Sequence, residues 1–287
     1  MSFEGTLPAI LTPFRDGAVD PGLLVEHVEW LADRGIRCVN LTGTTGEGLS
    51  LSLEERRRLI RLLSGSRLDF VAGTGCTALP ETIELSRYAV EHGARAVLVV
   101  PPSYYDPENL TGWYTALFEE LPPEARVLLY HIPRLSYPIV EPTIDALIER
   151  FGPMLAGIKD SSDDLAHTIG WLERYPMLTI FNGNDATAGA FYRSGGRAVI
   201  TATSNVLPVE LEAIRRGETS YESYVAEVRA LSLSVPRQAA LKLLLHLTSG
   251  IARSSVRPPL AELTREQEAT VATRFAQLRS EAHVRAR

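Results

Sequence analysis

Lysine is nearly absent from the chain, and one of its two copies lies where it could act as a nucleophile. The 29 basic residues include only Lys159 and Lys242, so arginine supplies almost all of the positive charge. Lys159 ends the apolar run 154–158 and precedes Asp160. An amine at the end of a buried strand loses hydration, which favours the neutral form that attacks a carbonyl. On these facts alone, a lysine that merely ends a strand is an equally good interpretation.

A second candidate feature is the segment 43–48, which combines glycines with the hydroxyls of Thr44 and Thr45. Glycines allow successive backbone N–H groups to turn toward a ligand, and such a nest suits a carboxylate or phosphate. A tight strand-to-helix turn with threonine caps would show the same pattern, so both interpretations are open. Glu47, in the same segment, is expected to complement a helix N-terminus instead of acting as a base.

Tyrosines at the ends of predicted strands are further candidates. Tyr130 could serve as a general acid or base beside an amine, or it could be a core tyrosine with a satisfied hydroxyl. Tyr104 and Tyr105 could belong to a site or to a subunit contact.

The remaining reactive side chains are assigned structural roles. His131 should point to the opposite side of its strand from Tyr130. The other histidines form no close pair, and no Cys/His spacing suggests a metal, so no metal site is predicted. Cys38 and Cys76 lie in strand-like runs and are predicted to be small buried residues, not a disulfide. Lys242 is predicted to be a surface or interface residue of a C-terminal helical region.

Short β-rich apolar segments alternate with amphipathic helical segments, which indicates repeated βα units. The strand-to-strand spacing is roughly 20 to 32 residues, the length of a βα unit with a right-handed crossover. Eight such units favour a (β/α)8 TIM barrel over a doubly wound sheet. A Rossmann-type sheet is the alternative, but no Gly-x-Gly-x-x-Gly follows a strand. The predicted strands are 5–12, 38–42, 69–74, 94–100, 126–132, 154–159, 178–182 and 197–201, and predicted helices include 21–34, 53–63, 80–92 and 142–151.

The barrel interpretation brings the candidate residues to one place. Active sites of parallel barrels lie at the C-terminal ends of the strands, so Thr44, Tyr130 and Lys159 should face one cavity. Ser52 and Glu55 form a predicted capping box at the start of a helix. Beyond residue 217 the chain reads as helical, which predicts a barrel over 1–217 and a C-terminal helical extension over 218–287 packed on it.

Composition restricts the class of partner. The 287 residues carry a net charge of −6, which argues against a nucleic acid or an anionic membrane surface as partner. No apolar run approaches the ~18 residues of a membrane span, and the N-terminus lacks the features of a secretory signal. The sequence therefore predicts a cytoplasmic protein that handles a small molecule.

Three motifs, taken in order, resemble the dihydrodipicolinate synthase/N-acetylneuraminate lyase family. They are Gly-Thr-Thr-Gly-Glu at 43–47, Tyr-His-Ile-Pro at 130–133 and Gly-Ile-Lys-Asp at 157–160, on predicted strands 2, 5 and 6. The resemblance extends to Gly-Asn-Asp at 183–185 and to the helical C-terminus. It implies a class I lyase, without metal or organic cofactor, that forms homodimers or homotetramers.

The resemblance also implies a role for each matching residue. Lys159 matches the lysine that forms a Schiff base with pyruvate or another 2-oxo acid, and Tyr130 matches the phenol that shuttles protons. Thr44 and Thr45 match the threonines that hold the carboxylate of the 2-oxo acid and connect Tyr130 to a second tyrosine. Tyr105 is the preferred match for that second tyrosine, and Tyr104 is the alternative. Further candidate contacts to the substrate are Gly43, Gly183, Thr201 and Arg134.

The loop after the fifth predicted strand bears on the substrate. In dihydrodipicolinate synthases it reads Tyr-Asn-x-Pro-x-Arg-Thr, and its arginine binds the carboxylate of the aldehyde. Here Leu135 holds that position and Arg134 comes one residue early, which turns the guanidinium by a large angle. Ala186 replaces the glutamate of the sialic-acid branch.

The leading hypothesis is therefore cleavage or dehydration of a 2-keto-3-deoxy sugar acid. A 4-hydroxy-tetrahydrodipicolinate synthase that condenses pyruvate with aspartate semialdehyde is the first alternative. A non-catalytic 2-oxo acid binding protein is the second. A phosphate-dependent barrel aldolase is disfavoured, because residues 203–205 lack a glycine-rich phosphate cradle.

Overall fold

Eight parallel strands form a barrel in a computed structural model that describes residues 3–104 and 108–285. The sheet order is β1-β10-β9-β8-β7-β6-β5-β4, and a parallel bridge between Ala9 and Asn40 brings its two edges together. The (β/α)8 TIM barrel prediction is confirmed. The strands are β1 Gly5–Pro8, β2 Phe14–Arg15, β3 Ala18–Val19, β4 Cys38–Leu41, β5 Asp69–Gly73, β6 Ala96–Val99, β7 Val127–His131, β8 Leu155–Asp160, β9 Thr179–Asn182 and β10 Ala198–Thr201.

Helices connect the barrel strands and continue after the last one. They are α1 Pro21–Ala32, α2 Leu53–Ser64, α3 Leu79–Glu91, α4 Leu110–Glu119, α5 Glu141–Phe151, α6 Leu165–Arg174, α7 Ala188–Arg193, α8 Pro208–Arg215, α9 Glu222–Leu233, α10 Arg237–Ser249 and α11 Arg265–Arg285. The predicted capping box is present at the start of α2, where Ser52 and Glu55 bond each other's backbone N–H groups.

Side chains of the strands alternate between two apolar layers, as the period of two requires. One set fills the inside of the barrel and includes Leu98, Leu128 and Phe181. The other set packs between the sheet and the helices and includes Val97, Leu129 and Ile180. Tyr130, near the end of β7, belongs to the inner set and therefore faces the inside of the barrel.

A short hairpin of β2 and β3 was not predicted. Its turn, Asp16-Gly17, has positive φ at both residues (52° and 76°), which matches the two-residue hairpin turn that Asp-Gly favours. The hairpin lies just after β1, which ends at Pro8, whereas the prediction ran to residue 12. Ala9 N–H and Ile10 N–H still donate to Thr201 O and Asn40 O of the neighbouring strands. The chain then leaves the sheet, because Leu11 N–H donates to Asn205 Oδ1 and Thr12 Oγ1 donates to Gly46 O.

Three helices, α9 to α11, follow the barrel. The helix α10 packs against both α9 and α11, and Ser255 in the following loop bridges to Phe14 of the hairpin. The division of the chain at residue 217 stays a prediction. In the part of the chain that is described, no helix combines the length and the apolar composition that crossing a bilayer requires.

Candidate active site

Tyr130 and Lys159 lie side by side at the C-terminal ends of two neighbouring strands. They are register partners across β7 and β8, and each residue is only 5 % exposed. The Nζ atom of Lys159 lies 4.2 Å from the centroid of the Tyr130 ring. The parallel register therefore places the amine of Lys159 beside the phenol of Tyr130 inside the barrel.

The Tyr130 hydroxyl is held in a polar network. It lies 3.3 Å from Thr44 Oγ1, within hydrogen-bonding distance. Burial alone would raise its pKa, but the charge of Lys159 and hydrogen bonds with Thr44, Lys159 and Ser161 together lower the pKa of the phenol below its ordinary value. A phenol that gives up its proton more readily, next to an amine and a hydroxyl, is suited to pass protons between them.

The loop that carries Thr44 has a strained backbone at both ends. Thr42 and Glu47 each have φ of 55°, a left-handed conformation that costs a non-glycine residue about 1–3 kcal/mol. The backbone is also tightly folded on itself, because a Cβ atom at Gly48 would lie 2.0 Å from Thr42 O. Thr42 is fixed by a hydrogen bond from its Oγ1 to Gly73 O on β5 at 2.8 Å. Such strain persists only where the surrounding structure holds the loop.

The predictions for Glu47 and Lys242 were wrong. Both side chains are buried, and Lys242 Nζ donates a hydrogen bond to Glu47 Oε1. Glu47 therefore complements a lysine from α10 and not a helix N-terminus, and Lys242 is not a surface residue. Burial lowers the pKa of Lys242, although the Glu47 carboxylate opposes this effect. The sequence could not reveal the pair, because its members are 195 positions apart.

A cavity of about 410 Å³ opens beside this loop, and its walls are mainly apolar. Lys159 does not line this cavity, but its Nζ lies 4.2 Å from the centroid of the Tyr130 ring, and Tyr130 does line it. Leu135 lines the cavity, whereas Arg134 is exposed and does not. Residues that line the cavity include Gly43, Thr44, Leu49, Leu98, Pro101, Tyr130, Leu135 and Leu260.

Other predicted site residues lie near strand ends without lining this cavity. Gly183 follows β9 and donates its N–H to Asp160 O at 2.7 Å, and a Cβ there would lie 2.2 Å from Ser161 Oγ. Thr201 ends β10 and donates from Oγ1 to Ser204 Oγ at 3.0 Å. Thr45 is half-buried in the strained loop.

The second tyrosine of the predicted proton path is not located. Tyr105 lies outside the described residues. Tyr104, which follows β6, is 84 % exposed.

On the outer side of the same two strands, the sequence missed a cluster of His131, Asp160 and His167. Asp160 accepts hydrogen bonds from His167 Nδ1 at 2.9 Å, Thr168 Oγ1 at 2.7 Å and Ser162 N–H at 2.9 Å. The His131 and His167 rings stack with centroids 5.2 Å apart. The sequence assigned His131 a structural role but did not reveal its contact with His167, which arises because α6 folds back over the end of β7.

This cluster brings three possible metal ligands within 4.8 Å of one another, but it does not fit a metal ion. His131 Nδ1 accepts the N–H of Ile139 at 3.1 Å, so the proton of the neutral ring must be on Nε2. A histidine in that tautomer has no lone pair left for a metal. The arrangement is better described as a hydrogen-bonded support beneath the strand ends.

Comparison with known proteins finds chains that are similar to this one in sequence and in fold. The sequence model of the Dihydrodipicolinate synthetase family matches residues 2–278. The chain is 37 % identical over 282 residues to an uncharacterized DapA-like lyase of Chloroflexus aurantiacus, covering 93 % of this chain and 94 % of the relative. It is 37 % identical over 212 residues to a 4-hydroxy-tetrahydrodipicolinate synthase of Rhodospirillum centenum, covering 72 % of each chain. It is similar in structure to YagE, a prophage protein of E. coli K12 solved in complex with pyruvate. The TM-score is 0.89 and the identity 26 %, over 96 % of this chain and 99 % of YagE.

Proposed function

Because the chain belongs to the dihydrodipicolinate synthetase family, we propose that it is a class I lyase in which Lys159 forms a Schiff base with pyruvate or a related 2-oxo acid. The observation that carries the proposal is the position of Lys159 Nζ, buried and 4.2 Å from the centre of the Tyr130 ring. The complex of the similar protein YagE with pyruvate supports a 2-oxo acid as the substrate class.

The proposed reaction begins when the neutral amine of Lys159 attacks the C2 carbonyl of the 2-oxo acid. The phenol of Tyr130 donates a proton to the oxygen that becomes the carbinolamine hydroxyl, and loss of water then gives the iminium. The iminium accepts the electron pair of the C–C or C–H bond that breaks and becomes an enamine. The phenolate of Tyr130 takes up the released proton, from the hydroxyl of the fragment that leaves as an aldehyde or from the C–H bond itself. Because this iminium is itself the electron sink, the proposed chemistry calls for no metal or organic cofactor.

The loop 43–48 holds the carboxylate in this proposal. Backbone N–H groups of the loop and the hydroxyls of Thr44 and Thr45 are the donors, and they orient C2 toward the amine. Gly43 allows close approach of the backbone to the ligand, while Gly183 and Thr201 are proposed to shape the far side of the site. The contact between Thr44 and Tyr130 at 3.3 Å would couple carboxylate binding to proton transfer.

The complete substrate is proposed to be a 2-keto-3-deoxy sugar acid, in which a sugar chain extends from the 2-oxo acid group. Leu135 lines the cavity and Arg134 does not. Arg56 also lines it, but its guanidinium is buried and donates to Gly73 O and Gly75 O, so neither arginine is placed to bind a second carboxylate. This observation favours a substrate whose distal part is uncharged.

A synthase acting on aspartate semialdehyde is the second candidate, favoured by the Rhodospirillum centenum relative. It requires Arg134 to turn into the cavity, so Arg134→Ala should strongly reduce condensation of pyruvate with aspartate semialdehyde. No condensation by the wild-type protein removes this candidate.

Borohydride trapping with pyruvate tests the proposed function. The wild-type chain should gain one covalent pyruvate-derived mass, and peptide mapping should place it on Lys159. Lys242 is an internal control, because it is the only other lysine and its Nζ is enclosed by Glu47 and Ser255. A protein that binds pyruvate with the same affinity in wild-type and Lys159→Ala forms, without any adduct, would be a non-catalytic binder and would refute the proposal.

A cytoplasmic location and assembly into homodimers or homotetramers are part of the same proposal. The exposed side chains of Leu49 and Tyr104 are the proposed contacts with a second copy, whose own tyrosine would then reach Thr44. Sedimentation analysis of the purified protein tests the assembly.

A further inference from the structure

The loop that carries Thr44 is tied to the C-terminal helices by a buried ionic cluster. Lys242 of α10 donates hydrogen bonds to Glu47 Oε1 and, at 2.6 Å, to Ser255 O. The second carboxylate oxygen of Glu47 accepts the N–H of Arg257 at 2.9 Å. Both side chains of the ion pair are almost completely buried, at 1 % and 0 % exposure.

The cluster holds the loop at Glu47, next to the hydrogen bond from Thr12 Oγ1 to Gly46 O. At the other end, Thr42 is fixed to β5 by its own hydroxyl. Glu47 has a left-handed backbone, and its side-chain partners come from Lys242 and Arg257, both in the region beyond the barrel. Contacts to residues about 200 positions away therefore help to maintain the left-handed conformation at Glu47.

A second contact joins the same helix to the same loop. Gln238 lies one turn before Lys242 on α10, and its Nε2 donates to Thr44 O at 3.5 Å. Arg257 adds a further tie, because its guanidinium donates to Ser50 O at 2.7 Å and binds Glu55. One face of α10 and the loop after it thus contact the catalytic loop at Thr44, Glu47 and Ser50.

We propose that Lys242 is a positioning residue: its ion pair with Glu47 holds the loop 42–48 in the conformation that aims Thr44 at Tyr130 and the loop N–H groups at the carboxylate of the substrate. This inference rests on the proposed Schiff-base function and deepens it. Lys242 touches no reacting atom. It acts through Glu47 and the backbone of the loop.

The ion pair is poorly explained by stability alone. Replacing a buried ion pair by apolar residues of similar volume is often neutral or stabilising, whereas removing one partner leaves a buried charge without compensation. An apolar pair would fill the same space, but it could not accept the N–H of Arg257. The side chain at position 47 would then lack the hydrogen bonds that fix its direction. Precise placement of the loop is what the charged pair adds.

The decisive experiment separates folding from placement. The double variant Glu47→Leu/Lys242→Met keeps the volume of the pair, and its melting temperature should stay close to that of the wild type. Its rate of borohydride-trappable adduct formation with pyruvate should fall about 10- to 100-fold, because small misplacement of a binding group has effects of that size. Half-saturation with pyruvate should also require a higher concentration.

A matched control uses an ion pair of the same helical region that joins two helices to each other instead of joining a helix to the loop. Glu227 of α9 and Arg274 of α11 are partly exposed and paired at 2.9 Å. The variant Glu227→Leu/Arg274→Met should trap pyruvate at the wild-type rate. A Glu47→Leu/Lys242→Met protein that melts with the wild type and also traps pyruvate within about twofold of its rate would overturn the proposal.

Glu47→Gln decides the question if the double variant does not fold. Glutamine keeps the size of the side chain and an acceptor for Arg257, but it removes the charge. Faster hydrogen exchange confined to the loop amides, together with slower trapping, supports the proposal, and unchanged exchange and trapping refute it. Failure of the wild-type protein to trap pyruvate would instead refute the proposed function, so the two failures are distinguishable.

Discussion

Tyr130 lies directly opposite Lys159 across the parallel strands β7 and β8, in the same register that sets His131 opposite Asp160 one residue later. The first pair faces the inside of the barrel, and the second pair faces the helices, where Asp160 is bonded to α6. A slip of one residue between the strands would exchange the two faces. The hydrogen-bonded outer cluster therefore helps to specify the register that brings the amine to the phenol.

Tyr130 should titrate below the ordinary pKa of tyrosine, and this shift should depend on Lys159. The lysine charge and the hydrogen bonds lower the pKa of Tyr130, whereas burial raises it. In Lys159→Met the main lowering effect is lost and the raising effect remains, so the phenol should titrate at higher pH. Ultraviolet difference titration, with Tyr130→Phe as the reference for the other tyrosines, measures this. Identical midpoints in the wild type and in Lys159→Met would contradict the assigned cause.

The mechanism also predicts a kinetic effect of removing the phenol. Tyr130→Phe should keep the fold, because phenylalanine fills most of the same space, but adduct formation with pyruvate should slow about 10²- to 10⁴-fold, the usual contribution of a positioned acid or base. The measurement is the rate of borohydride trapping at saturating pyruvate. Thr44→Val, which removes the hydroxyl next to Tyr130, should show a smaller loss, and an unchanged rate in Tyr130→Phe would exclude a role in proton transfer.

The eight strands and the positions of the candidate motifs at their ends were predictable because they are local patterns. Apolar segments of strand length, proline at helix starts and the Ser52–Glu55 capping box each depend on a few neighbouring residues. The buried position of Lys242 was not predictable, because it depends on how α10 packs against a loop near the start of the chain. His131 and His167 were missed for the same reason, since their proximity is created by the turn from β8 into α6.

The hairpin of β2 and β3 is a different case, because its signal was present. Asp16-Gly17 is a strong two-residue turn signal, yet its strands have only two residues each and no alternating apolar pattern. The hairpin has a role in the site region, since Gly17 O accepts a hydrogen bond from Arg257 at 2.8 Å. Strands this short are therefore easily missed when strands are predicted from an alternating apolar pattern, even where the turn signal is clear.

The tight folding of the catalytic loop predicts a strong effect of one added methyl group. Gly48→Ala would place Cβ 2.0 Å from Thr42 O, so the loop must shift. We expect a loss of roughly 1–3 kcal/mol in the free energy of unfolding, together with loss of trapping. Gly65→Ala is the matched control, because no atom lies within 4 Å of the added Cβ, and its stability should change by less than about 0.5 kcal/mol. Equal effects of the two substitutions on trapping would contradict the described loop.

His27 should make the fold sensitive to acid. Burial lowers its pKa from 6.5 to about 3, so the unfolded chain binds a proton in this range that the folded chain does not. Stability is therefore full above pH 6.5 and falls as the pH decreases toward 3, by about 1.4 kcal/mol per pH unit from this residue. Urea unfolding gives the free energy of unfolding at pH 7 and at pH 5. Its decrease between these pH values should be about 2 kcal/mol larger in the wild type than in His27→Gln. The same drop in both proteins would assign acid sensitivity to other groups.

Leu135 should control which aldehyde the enzyme accepts. Its side chain lines the cavity, and in the proposed function the distal end of the substrate meets this wall. Leu135→Arg should raise kcat/KM for an aldehyde that carries a carboxylate, such as aspartate semialdehyde, relative to an uncharged aldehyde. A charge-assisted hydrogen bond contributes about 1.5–3 kcal/mol, which corresponds to a change in this ratio of roughly 10- to 100-fold. Leu135→Lys is the matched control, since it adds the charge without the planar fork, and its gain should be smaller. An unchanged ratio in Leu135→Arg would show that the distal part of the substrate does not reach this wall.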